Sequence, residues 1–150
     1  MRPAAARFRT TAKGATLMRP LVYVIMPVGS DPDAGARRER IVAAAEALGL
    51  DTYFPLDHRT HGDDVDPTTL RVEMQRATVA LADLSLERPS CYYELGVALG
   101  VERPTIVVAA AGTPIHQTAD RASVAFYDSL DGLGKILEDR LRRFAYAPVR

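Results

Sequence analysis

The sequence predicts a single α/β domain, flavodoxin-like or Rossmann-like, in which a five-stranded parallel sheet of order 2-1-3-4-5 has helices on both faces. The first observation behind this prediction is that short apolar runs alternate along the chain with segments whose apolar residues recur at helical spacing. The second is the length of 150 residues, which suits one domain. The third is an ordinary globular composition, with 47% hydrophobic and 25% charged residues.

Each predicted strand is a short apolar run between loop-forming residues. The first run, Leu-Val-Tyr-Val-Ile-Met, is uninterrupted and rich in β-branched residues, which is typical of a strand buried on both faces of a parallel sheet. Strands that alternate with helices are joined by right-handed crossovers, which favours that architecture. The predicted strands span residues 21–26, 51–54, 78–82, 104–109 and 123–126.

Four helices are predicted from the spacing of apolar residues and from signals at their ends. Gly49 should end the first helix. Asp66 should cap the second, whose first residue is Pro67, and Ser90 should cap the third. The predicted helices span residues 36–48, 67–76, 91–100 and 129–144.

Charge and cysteine content narrow the class of protein. The formal net charge is +0, so no nucleic-acid partner is expected. The first twenty residues hold five basic residues and no acid, which predicts a flexible basic extension over 1–19 ahead of a domain over 20–146. No apolar run has the length of a membrane span or forms a signal-peptide core. The single cysteine, Cys91, excludes an intramolecular disulfide, so a cytoplasmic location is expected.

The predicted strand order also predicts where a ligand binds. In open parallel sheets, ligands bind beyond the carboxyl ends of the strands, at the point where the strand order reverses. This rule selects the loop after Met26, the loop after Phe54 and the segment after Ala82.

Two carboxylates follow the third predicted strand. Asp83 stands at the strand end, and Glu94 falls in about the first turn of the next helix, where the helix dipole favours a negative charge. Gly96, Ala98 and Gly100 should let this helix pack closely on the sheet. Paired carboxylates suit glycosyl transfer, in which one attacks or stabilises the anomeric carbon and the other handles a proton. Acids are also common at these positions for capping and turns alone.

The same segment carries a family resemblance. Residues 89–100 read PSCYYELGVALG and follow ADLS at 82–85, which resembles the "PNVxYELGxAxALG" signature, usually preceded by "ADLT", of the nucleoside 2-deoxyribosyltransferase-like superfamily. The run VYVIMP at 22–27 is similar to the first strand of that family, and the resemblance spans residues 20–110. It implies cleavage of the N-glycosidic bond of nucleosides or nucleoside monophosphates, with the sugar passed to another base or to water. It also implies no cofactor, and a homodimer or larger assembly in which a neighbouring chain completes the site.

The resemblance assigns roles to three residues. Glu94 would be the nucleophile. Asp83 would orient the ribose or protonate the leaving base, and Tyr23 would lie beside the nucleophile and hold its carboxylate.

A second set of residues indicates a monophosphate substrate. Ser90 stands where many relatives have asparagine, and Gly29-Ser30 resembles the Gly-Ser of relatives that hydrolyse nucleoside monophosphates. Arg37 and Arg38 follow at a helix start, where backbone N–H groups and an arginine can bind phosphate. Turn residues and solvated arginines remain the alternative explanation.

Other candidate contacts come from the loops and the signature segment. Pro27 belongs to the first loop, Asp57 and His58 could contact the base from the second, and Tyr93 should form a pocket wall. The three histidines match no zinc pattern, so no metal is expected. Cys91 lacks a nearby base and should be a buried thiol rather than a nucleophile.

The leading hypothesis is hydrolysis of a nucleoside 5′-monophosphate to free base and (deoxy)ribose 5-phosphate through Glu94. Three alternatives stay open at this point: a nucleoside 2-deoxyribosyltransferase, a TIR-like NADase, and a non-catalytic nucleotide-binding module.

Overall fold

A central sheet of parallel strands organises the computed structural model, which describes residues 9–10, 16–29, 31–58, 66–116 and 121–145. A short antiparallel pair, β1 (Arg9–Thr10) and β2 (Thr16–Leu17), precedes the sheet. The five parallel strands are β3 (Leu21–Ile25), β4 (Asp51–Tyr53), β5 (Val79–Asp83), β6 (Thr105–Ala110) and β7 (Ala125–Tyr127). Their order is β4-β3-β5-β6-β7, so the predicted order 2-1-3-4-5 is confirmed.

Helices cover both faces of this sheet, as predicted. Helices α1 and α4 pack on one face, and α2 and α3 pack on the other. The helices are α1 (Ala34–Ala47), α2 (Pro67–Arg76), α3 (Pro89–Gly100) and α4 (Leu130–Leu141). Short 3-10 turns follow or precede regular elements at Pro55–His58, Arg121–Ser123 and Arg142–Phe144.

Strand β3 explains why an unbroken apolar run is needed at the centre of the sheet. Val22 and Val24 belong to the core under α1 and α4, whereas Tyr23 and Ile25 belong to the core under α2 and α3. Successive side chains of a strand point to opposite faces, so a strand covered on both sides has no position for a solvated residue.

Helix α1 ends just before Gly49, the glycine at which the sequence predicts its end. Gly49 has a φ of +75°. Its N–H donates to the carbonyl of Glu46 at 3.0 Å, and the N–H of Leu50 donates to the carbonyl of Ala45 at 2.9 Å. This pair of bonds is a Schellman motif, which turns the chain so that Leu50 enters the core.

Capping was predicted correctly for α2 and wrongly for α3. Asp66 accepts hydrogen bonds from the N–H groups of Thr68 and Thr69 at 3.3 and 2.9 Å. Helix α3 begins earlier than predicted because Pro89 takes its first position, so Ser90 is the second residue of the helix and not its cap.

The outer face of α3 also differs from the prediction. Of the three small residues expected to pack on the sheet, only Ala98 is buried. A Cβ built on Gly96 or Gly100 meets no atom within 4 Å, because both glycines lie on the side of the helix that faces away from the sheet.

The predicted extension over 1–19 is described only in part. The β1–β2 pair falls within it, and residues 1–8 and 11–15 lie outside the described residues. In the part of the chain that the structure describes, every helix is too short or too polar to cross a membrane.

Replacing Gly49 tests the helix-ending motif. Gly49→Ala should lower the free energy of unfolding by about 1 kcal/mol, because an L side chain is strained at this positive φ. Gly49→Asn should lose less, because asparagine tolerates the left-handed region better than alanine. Urea denaturation measures both variants, and equal losses would contradict the backbone explanation.

Candidate active site

A cleft opens beyond the carboxyl end of β3, between the N-terminal parts of α1 and α3. This is where the strand order reverses, since β3 has β4 on one side and β5 on the other. Its apolar lining residues are Val24, Met26, Val28, Phe54, Pro55 and Leu56. Its polar lining comes from Arg38 of α1 and from Ser90, Tyr93 and Glu94 of α3. The cleft therefore combines an apolar wall with a carboxylate.

The Glu94 carboxylate is held by a buried tyrosine. The Tyr23 hydroxyl donates to Glu94 Oε2 at 3.1 Å, and Tyr23 is only 1% exposed. Burial, followed by the charge of Glu94 and the hydrogen bond to it, raises the pKa of the Tyr23 hydroxyl far above its usual range. Tyr23 is therefore a neutral donor at any physiological pH, and the structure brings it to Glu94 as the resemblance implied.

Glu94 lies deeper in its helix than expected. It is the sixth residue of α3, beyond the first turn, because the helix starts at Pro89. The helix dipole acts mainly within the first turn, so the hydrogen bond from Tyr23 is the better-placed interaction for this carboxylate.

A row of aromatic rings continues from Tyr23 to the edge of the sheet. The ring centroids of Tyr23 and Tyr53 are 5.2 Å apart, and Tyr53 stacks on His58 at 4.5 Å with an interplanar angle of 1°. Burial and then the charge of Glu73 raise the pKa of Tyr53. His58, predicted as a base contact, packs against Tyr53 and is not among the residues that line the cleft.

Asp83 occupies the interior rather than the cleft. It is the last residue of β5 and is 0% exposed. Its Oδ1 accepts from the N–H of Ser85 at 3.0 Å and from the Ser85 hydroxyl, and its Oδ2 accepts from the Tyr127 hydroxyl at 3.0 Å. Burial first and then the charge of Asp83 raise the pKa of Tyr127 to about 12. The structure therefore does not bring Asp83 and Glu94 together in one crevice.

Arg37 completes the network around Asp83. Its Nε lies 3.3 Å from Asp83 Oδ2, and its Nη2 forms an ion pair with Asp31. All three charged side chains are at least nine-tenths buried. Arg37 was predicted to bind a phosphate, but its guanidinium is already paired in the interior.

The neighbouring arginine faces the cleft instead. Arg38 Nη1 and Nη2 donate to Asp57 Oδ1 and Oδ2 at 3.0 and 2.5 Å. The guanidinium carbon lies 3.9 Å from the centroid of the Phe54 ring. Successive helix residues point about 100° apart, which is why Arg38 faces the cleft while Arg37 points into the interior.

The remaining predicted residues divide between the cleft and its surroundings. Ser90 and Tyr93 line the cleft. Pro27 is buried and Gly29 is exposed with a φ of +88°, and neither belongs to the lining. Ser30 lies outside the described residues.

Cys91 is a buried thiol, as expected. It is 1% exposed, and burial, together with the charges of Glu94 and Asp83, raises its pKa to about 12. For metals, no group of three or more His, Cys, Asp or Glu side chains that could hold an ion occurs within 66–116 or the other described ranges. His61 and its acidic neighbours lie outside those ranges.

Comparison with known proteins gives a result at the level of the fold. No protein-family model matches the sequence, and no curated protein matches it. The CMP N-glycosidase BcmB of Clostridium botulinum superposes with a TM-score of 0.63 at 13% identity, over 81% of this chain and 99% of that one. A 2-deoxyribosyltransferase from Leishmania mexicana gives 0.54 at 18% identity, over 79% and 97%.

The chain therefore shares its fold with an N-glycosidase and with a 2-deoxyribosyltransferase. The fold that the signature implied is confirmed. A response regulator receiver domain protein from Bacillus halodurans also matches, with a TM-score of 0.51 at 8% identity over 81% of this chain and 97% of that one. The fold therefore serves unrelated activities, and the side chains in the cleft decide which activity a chain has.

Asp83→Asn tests the buried network. The variant keeps the shape of the side chain but removes the charge that faces Arg37, and breaking a buried ion pair in this way should cost about 3 kcal/mol of unfolding free energy. Tyr127→Phe, which removes one hydrogen bond to Asp83, should cost about 1 kcal/mol.

The control for these two variants is Asp131→Asn, which breaks the exposed pair with Arg40 and should change stability little. Urea denaturation ranks the three variants. A stability for Asp83→Asn equal to that of Asp131→Asn would show that the buried charge is not needed.

Proposed function

We propose that this chain is an N-glycosidase that hydrolyses a nucleoside 5′-monophosphate to the free base and (deoxy)ribose 5-phosphate, with Glu94 as the nucleophile. The observation that carries the proposal is the Glu94 carboxylate in a cleft with an apolar wall, held at 3.1 Å by the neutral Tyr23 hydroxyl. The fold shared with a CMP N-glycosidase and with a 2-deoxyribosyltransferase supports this class of chemistry.

In the first step, a Glu94 oxygen forms a bond to the anomeric carbon while the bond from that carbon to the base breaks. The electron pair of the broken bond stays on the base, which takes a proton from solvent. In the second step, water attacks the same carbon, the carboxylate leaves with its electrons, and the water proton passes to solvent.

Tyr23 contributes by orientation. Its hydrogen bond limits rotation of the Glu94 carboxylate, so that less freedom is lost when the carboxylate attacks. Because the hydroxyl stays protonated, it places no second negative charge beside Glu94.

The apolar wall suits a flat base. Burying a base against side chains such as Phe54 and Met26 removes water from the reacting centre, which strengthens the electrostatic interactions of Glu94. The wall thus favours a ligand with an aromatic part beside its sugar.

The phosphate is expected at the start of α3. Ser90 is the second residue of this helix and lines the cleft on the same side as Glu94. The hydroxyl and the N–H of Ser90, at the N-terminus of a helix, suit a phosphate. The loop with Gly29 and Ser30 remains a second candidate contact.

Asp83 acts on the site indirectly in this proposal. Its carboxylate is engaged by Ser85, Tyr127 and Arg37, so we assign the proton of the leaving base to solvent rather than to Asp83. Through Arg37, Asp83 holds the first turn of α1, which forms one side of the cleft.

Base release by wild type and by Glu94→Gln tests the function. The substrates are the common nucleoside monophosphates, the matching nucleosides and NAD, each with and without an added acceptor base, and chromatography detects the products. Wild type should release a base from a monophosphate without any acceptor. Glu94→Gln should lose at least about 1,000-fold in rate, because an amide is a poor nucleophile.

Glu138→Gln is the matched control, because Glu138 is an exposed residue of α4 on the other face of the sheet. Activity that requires an acceptor base would indicate a deoxyribosyltransferase, and nicotinamide release would indicate an NADase. Full base release by Glu94→Gln would overturn the mechanism.

We also propose a homodimer formed through α3. Tyr93 and Leu99 are exposed large residues on this helix, at 54% and 52%, and Gly96 and Gly100 lie on its outer face. Small residues between large apolar ones let a second helix approach closely. Tyr93 lines the cleft as well, so a partner at this face would extend the site.

Light scattering coupled to size exclusion tests the dimer. Wild type should have twice the chain mass, and Gly96→Glu should have the mass of one chain, because a charge would be buried at the contact. Lys135→Glu, at a helical site on α4 that is also exposed, is the control and should remain dimeric. A dimeric Gly96→Glu variant would exclude this face.

A further inference from the structure

The ion pair of Arg38 and Asp57 lies at the edge of the cleft, where Arg38 belongs to the lining and Asp57 directly follows the lining residue Leu56. Two hydrogen bonds, at 3.0 and 2.5 Å, join the guanidinium to the two carboxylate oxygens. The guanidinium carbon lies over the Phe54 ring, 3.9 Å from the ring centroid. Both charged side chains stay partly exposed, at 39% and 43%. The planar fork of Arg38 is therefore fixed in orientation while part of it remains open to a ligand.

This arrangement differs from an ordinary surface ion pair. Arg40 and Asp131 form a single contact at 2.9 Å, the carboxylate there is 80% exposed, and neither residue lines the cleft. An exposed pair adds little stability. Three contacts orient the Arg38–Asp57 pair at the edge of the candidate active site, with Arg38 in its lining, which points to recognition of a ligand.

The charge of the pair selects the kind of ligand. Arg38 and Asp57 together carry no net charge, and an anion drawn to Arg38 would also face the Asp57 carboxylate. A phosphate is therefore disfavoured here, whereas a neutral polar edge is not. The guanidinium has five N–H donors and the carboxylate about four acceptor positions, and their mutual bonds use two of each.

We propose that Arg38 and Asp57 read the polar edge of the nucleobase and favour a base with an exocyclic amine beside a ring-nitrogen acceptor, as in cytosine and adenine. The amine donates to Asp57, and the ring nitrogen accepts from Arg38. Uracil and hypoxanthine reverse this pattern, because a carbonyl oxygen then faces the carboxylate and a ring N–H faces the guanidinium. This inference rests on the proposed function and adds the base class to it.

Kinetics on matched nucleotides test the preference. The pairs are CMP with UMP and AMP with IMP, which differ only in the amine and the adjoining ring nitrogen. For the pair that is turned over, wild type should favour the amino base by at least about tenfold in kcat/KM, because the wrong base leaves polar groups unpaired. Asp57→Asn should bring this ratio to within about threefold of one, since an amide can also donate to a carbonyl oxygen.

Two further variants separate recognition from general damage. Asp131→Asn breaks the exposed pair outside the cleft and should keep the wild-type ratio. Arg38→Lys should lower both the ratio and kcat/KM, because lysine has no planar fork to lie on Phe54. An unchanged ratio in Asp57→Asn, or equal rates with amino and oxo bases in wild type, would overturn the inference.

Binding distinguishes this inference from the proposed function. Calorimetry measures the four nucleotides on Glu94→Gln, with and without Asp57→Asn. If no base is released from any nucleotide but the amino preference in binding exists and depends on Asp57, the reaction is wrong and the recognition stands. If bases are released but binding shows no preference, the recognition is wrong and the reaction stands.

Discussion

The ion pair between Asp83 and Arg37 is the interaction on which the rest of the cleft depends. Moving a charge out of water costs free energy unless polar or charged partners compensate for it. Asp83, which is 0% exposed, has four such partners. They are two groups of Ser85, the Tyr127 hydroxyl and the Arg37 guanidinium. Arg37 joins the interior charge to α1, and the N–H of Ala110 donates to the Ser85 hydroxyl oxygen at 2.8 Å. One buried carboxylate thus ties together the carboxyl ends of β5, β6 and β7 and the first turn of α1.

This anchoring decides which side chain of α1 faces the cleft. With Arg37 pointing inward, the helix turn places Arg38 over Phe54 and against Asp57. On the other side of the cleft, the Tyr23 hydroxyl holds the Glu94 carboxylate by a hydrogen bond. The Arg38 guanidinium and the Glu94 carboxylate are therefore held by different supports: a buried ionic network under α1 and a buried hydroxyl under α3. A change in one support should leave the other in place.

The fold was predictable from the sequence because it rests on local patterns. The unbroken apolar run of β3, the glycine after α1 and the Asp66-Pro67 pair each specify an element with no reference to distant residues. The pairing of Tyr23 with Glu94 came from the resemblance, since no spacing rule connects two residues 71 positions apart. The cap of α3 was misjudged because serine and proline compete for the same turn, and Pro89 takes the first position.

The burial of Asp83 could not be predicted in the same way. Its partners Arg37 and Tyr127 are remote in the sequence, and an aspartate at a strand end has the same local pattern whether it faces a ligand or the interior. Likewise, nothing local distinguishes Arg37 from Arg38, because a rotation of the helix by one residue would turn Arg38 inward in place of Arg37. The prediction of a phosphate-binding Arg37 needed the helix phase, which the structure supplies.

The burial of Asp83 keeps its carboxylate away from the leaving base in the proposed mechanism. With its carboxylate engaged by Ser85, Tyr127 and Arg37, the polar lining of the cleft offers hydroxyls, the Arg38 guanidinium and the Glu94 carboxylate. Glu94 is committed to the anomeric carbon in the proposed mechanism. Negative charge that develops on the departing base is then best met by the N–H groups of Arg38, which lies in the wall where the base is expected. Recognition of the base and stabilisation of its departure would be performed by the same guanidinium, with Asp57 holding it in place.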